Sequence, residues 1–373
     1  MPPVLFDVRN AEDLRDVVCR AVQAVAEGKL VAVPTETVYG VAASALNESA
    51  VERLAEVKGR GANHAMTLAI RGPDEARDYA PDMSPLARRL ARRCWPGPLT
   101  LVVDDTHPES LVRQLPPGVQ RRVAPADKVG LRVPGHQLVL DVLHMLVGPL
   151  VLSSANRGGQ PDSLTAQQVL ESVGGDIDMV LDDGPCRFGQ PSSVVQVTGN
   201  RYELLRTGVV PDKTLKRLSS LMLLFVCTGN TCRSPMAEAI AKHLLAERLH
   251  CGIQELEDRG VIVASAGVAA MMGGHASPES VRVMAEMGLD LADHETQPLT
   301  EPLVRHADVI YVMSRAHRES LLAQWPSAAD RTRLLCMDGS EVCDPIGGPL
   351  ERYQRCALQI QSELASRVTE LEF

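Results

Sequence analysis

Cys227 and Arg233 stand as Cys-x5-Arg within LMLLFVCTGNTCRSPMAE, the stretch from Leu221 to Glu238. A thiolate can attack phosphorus, and a planar guanidinium can hold two phosphoryl oxygens and offset the charge that spreads over them during transfer. The spacing alone is weakly specific in a chain with 9 cysteines, but the flanking segments serve the same chemistry. Leu221 to Val226 reads as a buried parallel strand, a short apolar run ending in a turn signal. Gly229 allows the backbone to curl, so that successive amide N–H groups face an anion. Ser234-Pro235 predicts a helix start, with serine as the cap and proline in the first turn, and Met236 to Leu249 continues it with an apolar face. A thiol facing the positive end of such a helix is held largely as thiolate. Cys232 is either a partly buried neighbour or a second thiol able to form a reversible disulfide with Cys227. No Cys-x2-Cys pair is present, which argues against zinc, and no set of protein side chains reads as a metal site.

VCTGNTCRSPMAEA resembles the low-molecular-weight protein tyrosine phosphatases and their close relatives, the protein arginine phosphatases, and the resemblance runs from about Leu221 to the C-terminus. It implies a doubly wound, four-stranded parallel sheet and a metal-free hydrolysis of phosphorylated proteins through a phosphocysteine on Cys227. Arg233 would bind the phosphate and Asp344, of Asp344-Pro345, would be the general acid; alone, that aspartate reads as a turn or cap. Thr228, Gly229, Asn230, Thr231, Cys232 and Ser234 would form the supporting loop, with Asn230 and Ser234 holding the loop and the thiolate. Ser265-Ala266-Gly267, His294 and Ala307-Asp308-Val309 also match in order. Tyrosine-directed members commonly carry an apolar residue at the position of Thr231 and aromatic residues after Asp-Pro. This chain has Thr231 and Asp344-Pro345-Ile346-Gly347-Gly348, similar to the arginine phosphatases, so phosphoarginine is the expected substrate. In the alternative, Thr231 is a neutral filler and Ile346 an apolar wall of a tyrosine phosphatase.

A length of 373 residues permits two or three domains. The phosphatase-like part occupies only about the last 150 residues, and the boundary is expected at a short polar, basic connector, DKTLKRLSS. The expected layout is a first domain over 1–208, a linker over 209–220 and the phosphatase over 221–373. The net charge of −9 argues against broad polyanion binding, so any RNA contact needs a local patch. Arg88, Arg89, Arg92 and Arg93 make one such cluster at helical spacing, more simply read as a solvated helix face. No apolar run is long enough to cross a membrane, and the N-terminus lacks a basic start and an apolar signal core. An odd number of cysteines without framework spacing suits a reducing cytoplasm.

The first domain alternates helical and strand-like segments, an α/β layout. Helices are expected over 11–27 and 50–58, and strands over 30–34, 67–70, 99–103, 129–133, 151–154 and 193–197. No Gly-x4-Gly-Lys-Ser/Thr loop and no Gly-x-Gly-x-x-Gly turn is present, so a nucleotide would be held differently. VAVPTETVYGVAA, KGR at 58–60, WPGPLTLVV, GLRVP, SSAN at 153–156, PSSVV and LLRTG resemble, in this order, the threonylcarbamoyl-AMP synthases, the YrdC/Sua5-like family, over about residues 12–210. That resemblance implies a twisted, open α/β fold. It also implies synthesis of threonylcarbamoyl-AMP and pyrophosphate from ATP, bicarbonate and L-threonine, with Mg²⁺ accompanying the ATP, and a link to the tRNA-modification machinery. Lys58, Arg60 and Arg206 would contact nucleotide phosphates and Arg132 the threonine carboxylate. Ser154 and Asn156 would fix phosphate or carbamate oxygens, and Thr37 and Ser192 would hold phosphate or threonine. Departures from the family pattern are Gly61 after Lys-x-Arg, Ala65-Met66 for Pro-Leu, Ala69 where some relatives carry histidine, and LRTG for Leu-Arg-Pro-Gly. The competing reading makes this domain a nucleotide- or RNA-binding module attached to a tyrosine phosphatase.

Overall fold

Apolar runs bounded by turn residues become strands in both halves of the chain. The computed structural model describes residues 2–59 and 65–371, and the chain divides into two units between Leu215 and Lys216. In the first unit the strands are β1 (Val4–Asp7), β2 (Val31–Val33), β3 (Gly40–Ser44), β4 (Thr67–Ala69), β5 (Leu99–Asp104), β6 (Lys128–Arg132), β7 (Leu150–Ser154), β8 (Met179–Asp182), β9 (Ser193–Thr198) and β10 (Arg201–Arg206). They form one mixed sheet in the order β1-β8-β2-β3-β7-β4-β6-β5-β9-β10. The helices Leu14–Ala26 and Gln137–Met145 bury Val17, Ala21, Val139 and Leu143 with sheet residues such as Val31 and Leu181. Asp13 caps the first of these helices, accepting from Arg15 N–H, and Asn47 caps Glu48–Val57, accepting from Ala50 N–H; each satisfies a donor that the helix itself leaves unpaired.

The second unit holds β11 (Leu221–Cys227), β12 (Val261–Gly267), β13 (Val309–Val312) and β14 (Thr332–Leu334). All pair in parallel, in the order β12-β11-β13-β14. All seven residues of β11 are buried. Their side chains alternate between two cores, Leu223 and Phe225 packing with the helices Arg233–Arg248 and Leu350–Thr369, and Leu224 and Val226 with Val304 and Leu321. Helices on both faces make this a doubly wound sheet, which explains why its central strand reads as a continuous apolar run rather than an alternating one.

Within the expected connector, Asp212–Ser219 is a helix with Leu215 buried. Two sequence expectations are corrected here. Ser234 does not cap the phosphatase helix, which begins at Arg233 with Cys232 before it; the hydroxyl is used elsewhere. The arginine cluster is no freely solvated face, since Arg93 is buried and Arg88, Arg89 and Arg92 are half-buried on the helix Pro85–Cys94. Among the described residues no helix is long and apolar enough to cross a membrane.

Candidate active sites

β11 delivers Cys227 to the carboxyl edge of its sheet, and the helix Arg233–Arg248 starts immediately after the loop. The loop therefore lies between a strand end and a helix N-terminus, the arrangement that suits an anion. Its left-handed residue is Asn230, with φ 55°, and not Gly229; asparagine tolerates this conformation better than most residues. The glycine that the loop does require is Gly267 on β12, where a Cβ would meet Thr228 O at 2.5 Å and Asn230 N at 2.9 Å.

The buried Asn230 side chain organises the site. Its Oδ1 accepts from Gln297 N–H at 2.9 Å, which turns its amide group toward Ser234 Oγ at 3.0 Å and Ser265 Oγ at 2.8 Å. With one lone pair of Ser234 so occupied, its hydroxyl lies 2.9 Å from Cys227 Sγ. A hydroxyl there stabilises a thiolate by a charge-assisted hydrogen bond. His294 Nε2–H donates to Asn230 O at 2.9 Å, which holds the loop from the other side. Cys232 Sγ contacts Ser277 Oγ at 3.4 Å and Thr231 Oγ1 at 3.4 Å. Arg233, buried, makes an ion pair with half-exposed Asp344, NH2 to Oδ2, at 2.7 Å. The proposed phosphate ligand and the proposed general acid thus come together from segments far apart in sequence. Gln297 and His317 belong to this site and were missed in the sequence, where neither stands in a chemical spacing.

His317 links the loop to the helix Arg315–Gln324: its Nε2 is 2.8 Å from Thr228 Oγ1 and its Nδ1 2.8 Å from Ser314 Oγ. Burial, reinforced by the Arg233 charge, pushes its pKa down from 6.5 to about 4. The folded protein holds this imidazole neutral while the unfolded chain protonates it first. Its contribution to stability is therefore complete above about pH 6.5 and is lost as pH falls toward 4. The thermal midpoint of the second unit should fall across that window, and the slope should be shallower in His317→Gln; parallel pH profiles for both proteins would exclude this assignment.

In the first unit a cavity of about 450 Å³ is lined by Arg132, Ser154, Ser192 and Arg206 among others. Arg132, buried on β6, donates to Glu36 Oε1 at 2.7 Å and Thr37 Oγ1 at 2.9 Å. Glu36 Oε2 also accepts from Gly135 N–H at 2.8 Å, so the carboxylate fixes the guanidinium from behind. Glu36 was not singled out in the sequence. Arg206 on β10 donates to Ser192 O at 2.8 Å and Ser192 Oγ at 3.1 Å, and Ser192 Oγ meets Thr100 Oγ1 at 3.0 Å.

Lys58 does not line this cavity. It is buried, and its ammonium donates to Ser154 O at 2.7 Å, Ser154 Oγ at 3.2 Å, Asn156 Oδ1 at 2.7 Å and Asn156 O. Asn156 Nδ2 donates in turn to Gln160 O at 2.6 Å. The lysine therefore holds the Ser-x-Asn turn, and Ser154 carries that order to the cavity wall. Arg60 and Gly61 lie outside the described residues. Ser153 Oγ is buried beside the cavity without a hydrogen-bond partner among the described residues; the sequence passed over it in favour of Ser154, and only the β7–β3 register, pairing Ser153 with Val41, puts it there. Among the described residues no group of three or more His, Cys, Asp and Glu could hold a metal ion.

Two family models match the chain: the telomere-recombination family, Sua5/YciO/YrdC, over residues 23–208, and the low molecular weight phosphotyrosine protein phosphatases over residues 222–372. The threonylcarbamoyl-AMP synthase of Pyrococcus abyssi is 37% identical over 192 residues, 52% of this chain and 54% of that protein. This chain thus spans about half the length of that relative. A solved structure of Pyrococcus abyssi Sua5 complexed with L-threonine matches with a TM-score of 0.52 at 25% identity, covering 71% of this chain and 92% of the other. A putative threonylcarbamoyl-AMP synthase of Mycobacterium tuberculosis is 34% identical over 211 residues, 56% of this chain and 92% of that protein. The protein-arginine-phosphatase of Bacillus subtilis is 36% identical over 154 residues, 40% of this chain and 96% of that protein. The chain therefore belongs to two enzyme families at once, the threonylcarbamoyl-AMP synthases over its first unit and the low-molecular-weight protein phosphatases over its second.

Proposed function

We propose that the chain is a bifunctional enzyme of the cytoplasm. Its first unit joins L-threonine, bicarbonate and MgATP into threonylcarbamoyl-AMP with release of pyrophosphate, feeding tRNA modification. Its second unit hydrolyses phosphoproteins, with phosphoarginine favoured over phosphotyrosine. The observation that carries the first reading is that Arg132 and Arg206 both line one cavity. Substrates that gather phosphate and carboxylate charge need fixed cations, and a guanidinium already anchored by Glu36 or Ser192 needs little reorganisation to supply one. Arg132 would take the threonine carboxylate and Arg206 the phosphates, with Ser154, Asn156, Ser192 and Thr37 holding oxygens. Mg²⁺ would arrive on the phosphates of ATP. The test is pyrophosphate release by the full chain, expected only when ATP, threonine and bicarbonate are all present; release without threonine would overturn the reading.

In the second unit Cys227 Sγ would attack phosphorus, forming an S–P bond as the P–N or P–O bond to the leaving group breaks. Asp344 would protonate the leaving atom, then take a proton from the water that cleaves the S–P bond and frees phosphate. Incoming phosphate oxygens would replace Asp344 on Arg233, releasing the carboxyl group for this work. The substrate preference is supported by Thr231 in the loop and by Ile346-Gly347-Gly348 after the Asp-Pro pair, with Ile346 exposed and no aromatic wall for a phenol. The absent stacking is worth ~0.5–1.5 kcal/mol, while a carboxylate suits the planar donor fork of a guanidinium. Phosphoarginine peptides should show higher kcat/KM than matched phosphotyrosine peptides, and Thr231→Ile should shift the ratio toward phosphotyrosine. Preference of the wild type for phosphotyrosine, unmoved by the substitution, would leave a tyrosine phosphatase with the same thiolate mechanism.

A further inference from the structure

Arg315 and Arg318 of the helix Arg315–Gln324, Arg333 of β14 and Arg367 of the last helix line one groove of about 480 Å³, with Glu319 as the carboxylate on its wall. The chain carries a net charge of −9, so four guanidinium groups around one groove run against its composition. Arg367 is fixed, donating to Leu334 O at 3.0 Å and Leu335 O at 3.1 Å and pairing with Glu370 at 3.2 Å. Arg315 donates to Gly339 O at 2.9 Å, while its backbone N–H is taken by Glu341. Arg333 is exposed on the edge strand, its backbone paired with β13 and its side chain in no hydrogen bond or ion pair among the described residues. The helix that carries Arg315 and Arg318 also carries His317, which bonds Thr228 of the phosphate loop, so the groove and the loop share one supporting element.

We infer that this arginine-lined groove docks an acidic segment of the phosphorylated protein whose phosphate enters the loop, an inference that rests on the phosphoprotein-phosphatase reading. A small anion would need donors converging on one point, whereas these come from three elements and several already donate to backbone carbonyls. An extended run of carboxylates needs only a row of cations along its path. Contacts of this exposed kind steer and orient the partner and are screened by salt.

The test measures binding of a labelled, unphosphorylated Glu-rich peptide to the full chain at low ionic strength by fluorescence anisotropy. Saturable binding is expected, weakened about ten-fold or more in Arg318→Glu/Arg333→Glu and lost at high salt. The milder Arg333→Ser should weaken it in the same direction, and both variants should hydrolyse p-nitrophenyl phosphate at the wild-type rate. Phosphopeptides with an acidic flank should then show a lower KM than Gln-substituted ones at equal kcat, in the wild type only. Equal binding by wild type and double variant would overturn the inference, as would displacement of the peptide by tripolyphosphate at far lower concentration, which marks a small-anion site. Turnover of phosphopeptides without a flank effect also overturns the groove. Peptide binding without turnover of any phosphopeptide overturns the phosphoprotein reading and leaves the groove standing.

Discussion

Cys227→Ser should abolish phosphatase turnover, with a loss on the order of 10⁴-fold or more, because a hydroxyl at this position is neither ionised nor comparably nucleophilic. The substitution changes one atom in a site whose order comes from Asn230, Ser265 and Gln297, so the fold should be kept. Asp344→Asn is the informative partner. It retains the nucleophile and Arg233, so the phosphocysteine should still form, but each proton transfer is lost and turnover should fall by about 10²–10⁴-fold. Acid quench with detection of the phosphoenzyme separates the two steps. EDTA should leave the activity unchanged. Persistent hydrolysis in Cys227→Ser, or dependence on a metal, would reject the covalent mechanism.

Lys58→Met should remove threonylcarbamoyl-AMP synthesis while leaving p-nitrophenyl phosphate hydrolysis intact. Methionine keeps much of the buried stem but offers no donor, so Ser154 O, Asn156 O and Asn156 Oδ1 lose the ammonium they share. Each buried acceptor left unsatisfied costs about 1–3 kcal/mol, so the first unit should also melt earlier. The expected loss of synthesis is on the order of 10²-fold or more, the scale of misplacing groups that stabilise developing charge. Pyrophosphate release and product detection by mass measure it, with calorimetry reporting the stability change. Full synthesis by Lys58→Met would show that the Ser-x-Asn turn needs no lysine and would reject the site. A lowered melting point with unchanged turnover at low temperature would assign the lysine to folding alone.

Much of the chemistry was legible in sequence because it is local. A strand, a tight turn and a helix start within Leu221 to Glu238 put a thiol and a guanidinium at one helix end whatever the remainder of the chain does. The apolar runs of β5, β6, β7 and β9 were likewise readable from their own residues. β1, β3, β8 and β10 were not: β3 is built from Gly-Val-Ala-Ala-Ser, and β10 is an exposed edge strand rich in charge, so neither has the apolar signature of a buried strand. Local chemistry also misassigned two loop residues. Serine before proline is a good cap and glycine a good turn residue, yet Ser234 serves Cys227 and Asn230 takes the left-handed turn, because the partners that favour those roles, Ser265, Gly267 and Gln297, come from other segments. Sequence by itself determined which residues could attack, bind and donate. Tertiary structure alone decided which of them meet: Arg233 with Asp344, Arg132 with Glu36, and Lys58 with Ser154 and Asn156. Each pair joins segments about a hundred residues apart, and sheet register and helix packing, which no local pattern encodes, bring them within hydrogen-bond distance.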